Sequence, residues 1–207
     1  MVTAQLLVAV AKIANVSDRD ERCLMAACSI AFVNCLRCGE FKVSDKKSHI
    51  LKKEDWKQSE ERGEIFLEKS KTDFFGRGQM IRYRKMKTFL DPIFWMRLYS
   101  DLHQVWTSPE DPLFMLKNGK PLDRKTLVAW IRRKAKMIGY PEADKINGIS
   151  FRRGGAQALR YQGYQMDQFG VLGRWKTVTS AARYVKLTDP VVDEFAAVFD
   201  RATVQGK

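Results

Sequence analysis

The sequence predicts a mainly α-helical domain that carries a small three-stranded antiparallel β-sheet. Helical spacing of apolar residues recurs through most of the 207 residues, whereas residues 50–85 contain short apolar runs separated by glycine-containing turns. The composition, 45% hydrophobic and 29% charged, is typical of a globular protein. Because a chain of this length buries a sizeable core, we expect residues 1–207 to form a single domain.

The helices are predicted in order along the chain. Leu6, Val10 and Ile13 form an apolar stripe within residues 3–15. Residues 19–37 are apolar on nearly every side, which predicts the central buried helix. Further helical patterns cover residues 91–105, 123–138, 152–162, 166–173, 177–186 and 190–203.

The sheet is predicted between the second and third of these helices. Ile65-Phe66-Leu67 and Met80-Ile81-Arg82-Tyr83 are short apolar runs typical of strands. Glu61-Arg62-Gly63 and Gly76-Arg77-Gly78 have the composition of turns. Two turns imply three antiparallel strands.

Several classes of protein are excluded by composition. The sequence has no apolar run near the ~18 residues that a membrane span needs. Its first residues lack the basic region and cleavage site of a secretory signal. Four cysteines in a chain of this size do not make a disulfide scaffold, so we expect reduced thiols, an intracellular location and no membrane partner.

The charge is strongly basic and unevenly distributed. With 37 Lys and Arg against 24 Asp and Glu, the net charge is +13. Residues 69–88, 123–137 and 149–186 carry net charges of +6, +5 and +6, so the rest of the chain is net −4. Such concentrated positive charge is typical of a surface that binds a polyanion, most often nucleic acid. The alternative is a solvated basic surface without a ligand.

The four cysteines permit two interpretations. Cys23, Cys28, Cys35 and Cys38 could be drawn as a four-cysteine zinc site. All four fall in one apolar helical region, however, and two pairs on a continuous helix cannot surround a tetrahedral ion. We therefore favour small buried thiols and predict no metal site.

Short motifs with the residue types of phosphoryl transfer follow one another along the chain. They are Leu36-Arg37-Cys38-Gly39-Glu40-Phe41, Glu68-Lys69-Ser70-Lys71-Thr72-Asp73, Ile149-Ser150-Phe151-Arg152-Arg153-Gly154-Gly155-Ala156, Leu172-Gly173-Arg174-Trp175, and Tyr184 nine residues after the Trp. Without a metal, this chemistry requires cations at the non-bridging oxygens, a nucleophile and an acid for the leaving oxygen. The motifs contain candidates for each of the three.

The set resembles the catalytic domain of the tyrosine recombinases, the lambda-integrase class. The pattern there is Arg-x-x-Glu/Asp, a Lys on a β-hairpin, His-x-x-Arg, Gly-x-His/Trp and a Tyr on a late helix. The motif wording is most similar to DIRS-type and Crypton-type mobile elements of eukaryotes, and the Trp-to-Tyr spacing is similar to Cre-like recombinases. The resemblance covers about residues 3–203. It implies the recombinase catalytic-domain fold, and we expect the usual N-terminal core-binding domain to be absent.

The resemblance implies DNA strand exchange through a 3′-phosphotyrosyl intermediate, without metal, ATP or another cofactor. Tyr184 would attack the scissile phosphate. Arg37 and Arg152 would hold its non-bridging oxygens, since a guanidinium offers two parallel donors. Lys71 would protonate the leaving 5′-oxygen, with Lys69 as its competitor for that role.

Two further residues complete the implied site. Glu40 would orient Arg37 or brace the fold, and Trp175 would donate its indole N–H to a phosphate oxygen and place its ring against the tyrosine helix. Taken singly, each site residue has a structural alternative, such as an Arg37–Glu40 ion pair or a core position for Trp175. The predicted DNA-binding residues are Lys69, Arg77, Arg132, Arg133, Arg153, Arg174 and Lys176.

One position departs from the family pattern. Ile149 stands where the motif has histidine, and its side chain can neither accept a proton nor donate a hydrogen bond. Two alternatives to an active recombinase therefore stay open. One is a recombinase-derived DNA-binding protein with weak or no cleavage, and the other is a type IB topoisomerase. For the recombinase, the family implies a homo-tetramer on two synapsed duplexes, located in the nucleus if the chain comes from a eukaryotic mobile element.

Overall fold

The computed structural model describes residues 1–40, 51–68, 77–101, 106–165, 172–175, 177 and 179–180. In these residues the chain forms five α-helices and three strands. They are α1 (Ala4–Lys12), α2 (Arg19–Val33), β1 (Trp56–Gln58), β2 (Arg62–Leu67), β3 (Gln79–Arg84), α3 (Pro92–Ser100), α4 (Arg124–Met137) and α5 (Ser150–Tyr161). The predicted class, mainly α with a three-stranded antiparallel sheet, is confirmed.

Helix α2 is the central helix, as predicted. Asp18 caps its N-terminus by accepting a hydrogen bond from the Asp20 N–H at 2.9 Å, and Asp20 and Glu21 place negative charge in the first turn. Eleven of its fifteen residues are buried. It packs against α3 and α5, and its buried residues run from Glu21 to Phe32.

The end of α2 differs from the prediction. The helix stops at Val33 instead of residue 37, because Cys35 adopts a left-handed conformation with φ of 49°. The Leu36 N–H donates to the Ala31 carbonyl at 2.8 Å and the Cys35 N–H to the Phe32 carbonyl at 3.2 Å, which together form a Schellman motif. The apolar pattern runs on past this reversal, and for that reason periodicity alone placed the end too late.

The sheet has the order β1-β2-β3 with antiparallel pairing throughout. Ile65 lies opposite Trp56 on one side and Ile81 on the other, and all three side chains face the core. Tyr83 lies across Gly63, where a Cβ atom would be 2.2 Å from the tyrosine ring. Its hydroxyl accepts a hydrogen bond from the Trp56 indole N–H at 2.8 Å.

Helix α5 approaches the end of α2 closely because its second turn contains two glycines, Gly154 and Gly155. A Cβ atom on Gly154 would lie 1.8 Å from the Val2 carbonyl oxygen, and one on Gly155 would lie 2.3 Å from the Phe32 carbonyl oxygen. Neither position therefore accepts a larger residue without movement of the backbone. This contact brings Arg152, on the first turn of α5, to the turn that follows α2.

The remaining helix predictions have mixed outcomes. Helices α3, α4 and α5 confirm the patterns at residues 91–105, 123–138 and 152–162, with ends that differ by a few residues. Most of the predicted helices at 166–173, 177–186 and 190–203, and Gly76 of the second turn, lie outside the described residues. Within the described part of the chain, no helix is both long and apolar enough to cross a membrane.

Candidate active site

Glu40 joins two of the sequence motifs at the end of α2. Its Oε1 atom is 2.9 Å from Arg37 Nη1, and its Oε2 atom accepts the Arg37 backbone N–H at 2.8 Å. The same Oε2 atom is 2.8 Å from Arg174 Nη2. The side chains of Glu40 and Arg174 are only 5% and 4% exposed, so this ion pair is buried. The predicted contact of Glu40 with Arg37 is present, and that with Arg174 is new.

Arg152 joins the third motif to the same place. It is completely buried, and its Nη1 atom donates to the Cys35 carbonyl at 2.7 Å while Nη2 donates to the Gly173 carbonyl. The guanidinium carbon lies 4.0 Å from the centroid of the Trp175 ring, a cation–π contact. Gly173 makes this possible, because a Cβ atom there would be 1.6 Å from the Trp175 ring.

The arginines also bind the last carbonyl groups around the end of α2. Arg174 Nη1 donates to the Asn34 carbonyl at 3.2 Å, next to the Cys35 carbonyl that Arg152 holds. The Asn34 carbonyl belongs to the C-cap of α2, at the negative end of the helix dipole, and the Cys35 carbonyl follows the reversal of the chain. The end of α2 is therefore bound by cations from two segments that lie far away in the sequence.

The cluster carries more positive than negative charge. Among the described residues, Arg37, Arg152 and Arg174 come together with one carboxylate, that of Glu40, which Arg37 and Arg174 contact directly. A quarter of the Arg37 side chain is exposed, whereas Arg152 and Arg174 are buried. A positive excess in a largely dehydrated site favours the binding of an anion. Burial raises the pKa of the nearby Cys35 thiol to about 11, against the opposing effect of Arg152 and Arg174, so this thiol is protonated near neutral pH.

Ile149 lies beside the cluster at the N-cap of α5, and its side chain caps nothing. Its N–H donates to Asn147 Oδ1 at 3.1 Å and its carbonyl accepts from the Arg153 N–H at 3.0 Å. The Arg124 side chain covers the preceding glycine, since a Cβ atom on Gly148 would be 2.6 Å from Arg124 Nε. Arg124 was not among the predicted site residues, and its place at the N-terminus of α4 gave no local signal of this contact.

The structure separates the predicted DNA-binding residues into two groups. Arg77, Arg133 and Arg153 are exposed. Arg132 is partly buried and donates to the Ile146 carbonyl at 2.7 Å, and Arg174 is buried in the cluster described above. Lys69, Lys71, Lys176 and Tyr184 lie outside the described residues, and their roles stay predictions.

Part of the excess basic charge lies inside the protein. Lys134, Arg152, Arg160 and Arg174 belong to the basic stretches of the sequence, yet all four are buried. Lys134 pairs with Glu21 at 2.7 Å. The exposed cations of those stretches that the structure describes are Arg77, Arg82, Arg84, Lys85, Lys87, Arg124, Lys125, Arg133, Lys136 and Arg153.

The cysteines are buried free thiols, as predicted. Cys23 and Cys28 lie within α2, whereas Cys35 and Cys38 follow its end, so they do not share one continuous helix as the sequence had suggested. Among the described residues, no group of three or more His, Cys, Asp or Glu side chains is arranged to hold a metal ion.

Comparison with solved structures identifies the fold. The chain is similar to the XerH site-specific recombinase bound to palindromic difH in a post-cleavage complex, with a TM-score of 0.70 and 16% identity over 96% of this chain and 52% of that one. It is similar to XerA recombinase, with a TM-score of 0.64 and 17% identity over 96% of this chain and 62% of that one. It is also similar to a lambda integrase dimer bound to a COC′ core site, with a TM-score of 0.55 and 18% identity over 88% of this chain and 47% of that one. No protein-family model and no curated protein matches the sequence.

These matches confirm the tyrosine recombinase catalytic-domain fold that the motifs implied. The chain spans about half the length of the XerH chain that it resembles. At these identities the likeness concerns the fold, and the similarity in wording to DIRS-type and Crypton-type elements stays a prediction.

Proposed function

We propose that the chain is the catalytic part of a site-specific DNA recombinase or integrase that cuts and rejoins strands through a 3′-phosphotyrosyl intermediate. The observation that carries the proposal is the convergence of Arg37, Arg152 and Trp175 at the end of α2. These residues come from three separate motifs, and they meet within a fold shared with recombinases. A positively charged cluster of this kind suits a phosphodiester.

In the proposed reaction, Tyr184 Oη forms a bond to the phosphorus atom and the bond from phosphorus to the 5′-oxygen breaks. Lys71 gives the leaving oxygen its proton, and the tyrosine hydroxyl gives its own proton to water, since Ile149 cannot accept it. One phosphate ester replaces another, so rejoining requires no ATP. The reaction uses no metal or cofactor, because the cations that balance the phosphate charge are arginines.

The arginines have distinct parts in this reaction. Arg37 offers its exposed face to the phosphate while Glu40 fixes its orientation. Arg152 Nη2 donates to the Gly173 carbonyl in the DNA-free chain, so a non-bridging oxygen would replace that carbonyl as its acceptor. Trp175 packs on the guanidinium of Arg152 and would move together with it when the phosphate binds.

Double-stranded DNA is the proposed partner. The similar XerH structure is bound to its difH substrate and the lambda integrase structure to a COC′ core site, and the exposed cations of this chain provide the charge for phosphate contacts. A homo-tetramer on two synapsed duplexes belongs to the same proposal, as does a nuclear location if the chain comes from a eukaryotic mobile element.

A covalent trapping experiment tests the function. The protein is incubated with a pool of nicked suicide duplexes whose sequence around the nick is randomised, and adducts are detected on a denaturing gel. We expect an adduct with the wild type, none with Tyr184→Phe, and an unchanged yield with the control Tyr164→Phe, an exposed tyrosine outside the cluster. Adducts in Tyr184→Phe would assign the nucleophile elsewhere, and their absence from the wild type would contradict strand cleavage.

A second candidate function is that of a recombinase-derived DNA-binding protein with little cleavage. Ile149 favours it, since an apolar side chain occupies the N-cap of α5 beside Arg152. If the reaction lacks only the motif imidazole, Ile149→His should speed single-turnover cleavage by up to ~10²–10⁴-fold, the contribution of a positioned general base. The variant should also acquire a rate inflection near the ordinary histidine pKa of about 6.5.

The outcome separates the candidates. An unchanged rate and pH profile in a folded Ile149→His protein would show that this residue does not occupy the place of the catalytic histidine. A supercoiled plasmid assayed beside a two-site recombination substrate distinguishes recombination from relaxation alone, which a type IB topoisomerase would give.

A further inference from the structure

We propose that Arg174 is a positioning residue, which fixes the segment from Gly173 to Trp175 on the end of α2 and thereby holds Trp175 against Arg152. The inference deepens the proposed function and rests on it for the effect on cleavage. It also replaces the DNA contact that the sequence suggested for this arginine.

The geometry of Arg174 is that of an internal support. Its Nη2 atom lies 2.8 Å from Glu40 Oε2, and its Nη1 atom donates to the carbonyls of Asn34 at 3.2 Å and Leu172 at 3.0 Å. One side chain therefore connects the turn after α2, the carboxylate that orients Arg37, and its own segment. Its side chain is only 4% exposed, and its charge is already paired with the Glu40 carboxylate at 2.8 Å, which leaves it suited to support rather than to DNA contact.

The backbone supports the same interpretation. Arg174 has φ of 57°, a left-handed conformation that is uncommon for a residue other than glycine. Such a conformation persists where surrounding contacts determine it, and here the buried ion pair with Glu40 provides them. The reversal places Trp175 over the Arg152 guanidinium, at 4.0 Å from its central carbon.

Arginine is suited to this position and lysine is not. The planar guanidinium directs Nη1 to the carbonyls and Nη2 to Glu40 at the same time, which a single ammonium group cannot reproduce. Tyr184 follows Trp175 by nine residues in the sequence, so a displaced Trp175 would also displace the start of the segment that carries the proposed nucleophile. A misplacement of about 1 Å at a reacting group costs on the order of 10²-fold in rate.

The test compares Arg174→Gln and Arg174→Lys with Arg153→Gln, which removes an exposed arginine on the first turn of α5. The exposure of Trp175 is measured by acrylamide quenching of tryptophan fluorescence. Its contribution is the difference between each protein and the same protein carrying Trp175→Phe. Affinity for a duplex is measured as a function of salt, and adduct formation is measured on the nicked substrate.

We expect Arg174→Gln to increase quenching of Trp175 and to slow adduct formation by about 10²-fold per bound protein. Arg174→Lys should give a smaller increase in quenching, and it provides the test if the glutamine variant does not fold. Neither should change the salt slope of binding, whereas Arg153→Gln should lower it by ~0.9 and leave Trp175 unaffected.

The other possible outcomes would change the role assigned to Arg174 or the proposed function. Unchanged quenching of Trp175 in the Arg174 variants would overturn the proposal, and a salt slope lowered as in Arg153→Gln would return Arg174 to the DNA contacts. If the wild type forms no adduct, strand cleavage fails as the function. The quenching result still decides whether Arg174 positions Trp175.

Discussion

Helix α2 has a buried carboxylate near each end, and the two differ in how their charge is balanced. Near the N-terminal end, Glu21 pairs with one cation, Lys134 at 2.7 Å, and also accepts the Asn15 N–H at 2.6 Å. At the other end, Glu40 is accompanied by three guanidinium groups, two of them in direct contact. Counted over the residues that the structure describes, the first set is neutral and the second carries a formal charge of +2.

The two ends of the helix therefore differ in how completely their charges are paired. The Glu21–Lys134 pair is complete within the protein, and Lys134 also donates to the Ile13 carbonyl at 3.3 Å, so it connects α1, α2 and α4. The excess charge around Glu40 is costly to bury and is compensated when an anion arrives. The balanced pair supports the fold, whereas the cluster around Glu40 is where the proposed function places the phosphate.

The largest effect is expected at the unbalanced end. Arg152→Lys should reduce single-turnover cleavage by about 10²–10³-fold, because an ammonium group cannot hold a phosphate through two parallel donors. The matched control is Arg62→Lys, an exposed arginine at the start of β2, which should stay within about twofold of the wild type. Equal rates for Arg152→Lys and the wild type would remove Arg152 from the site.

At the balanced end the expected effect is on stability. Glu21→Gln leaves the Lys134 ammonium buried without its counter-charge, and should lower the free energy of unfolding by about 3 kcal/mol in urea titrations. Lys145→Gln, which removes an exposed pair with Glu142, should cost less than about 1 kcal/mol. Cleavage by folded Glu21→Gln should be unchanged, whereas Glu40→Gln should lower both stability and rate. A loss of rate in Glu21→Gln would contradict the division between the two ends.

The smallest effect is the pH dependence of the balanced pair. Burial acts to raise the pKa of Glu21, but hydrogen bonds from Lys134, the Asn15 N–H and Trp130 outweigh it and lower the pKa below its usual 4.5. The ionised form is therefore favoured in the folded protein, and its stabilisation is complete above the unfolded pKa and lost as pH falls through the lower folded pKa.

Urea titrations from about pH 3 to about pH 7 measure this term in the wild type and in Glu21→Gln. The difference in stability between the two proteins should be constant above about pH 5 and should shrink at more acid pH. A difference that does not change with pH would show that the charge of Glu21 contributes nothing to the balance.

Most of the elements could be predicted from the sequence, because periodicity depends on residues that are close along the chain. The apolar pattern of residues 19–37 identified the central helix, and the short apolar runs identified β2 and β3. The first predicted turn was placed too late, because Arg62 and Gly63 belong to β2. The pattern missed the end of α2, since Cys35 and Leu36 are apolar whether the backbone continues or reverses. The burial of Lys134 was missed for a similar reason. A lysine in a helix gives the same sequence pattern whether its side chain is exposed or paired with a buried carboxylate.

The sequence alone identified the motif residues, which are arginines, a carboxylate and a tryptophan in a fixed order, with isoleucine in place of the histidine. Their partners were decided only by the tertiary structure. Glu40 and Arg174 are 134 positions apart, and Arg152 and Cys35 are 117 apart. No local pattern encodes such pairs, because they depend on α5 approaching α2 through Gly154 and Gly155 and on the removal of water from the charges that meet there.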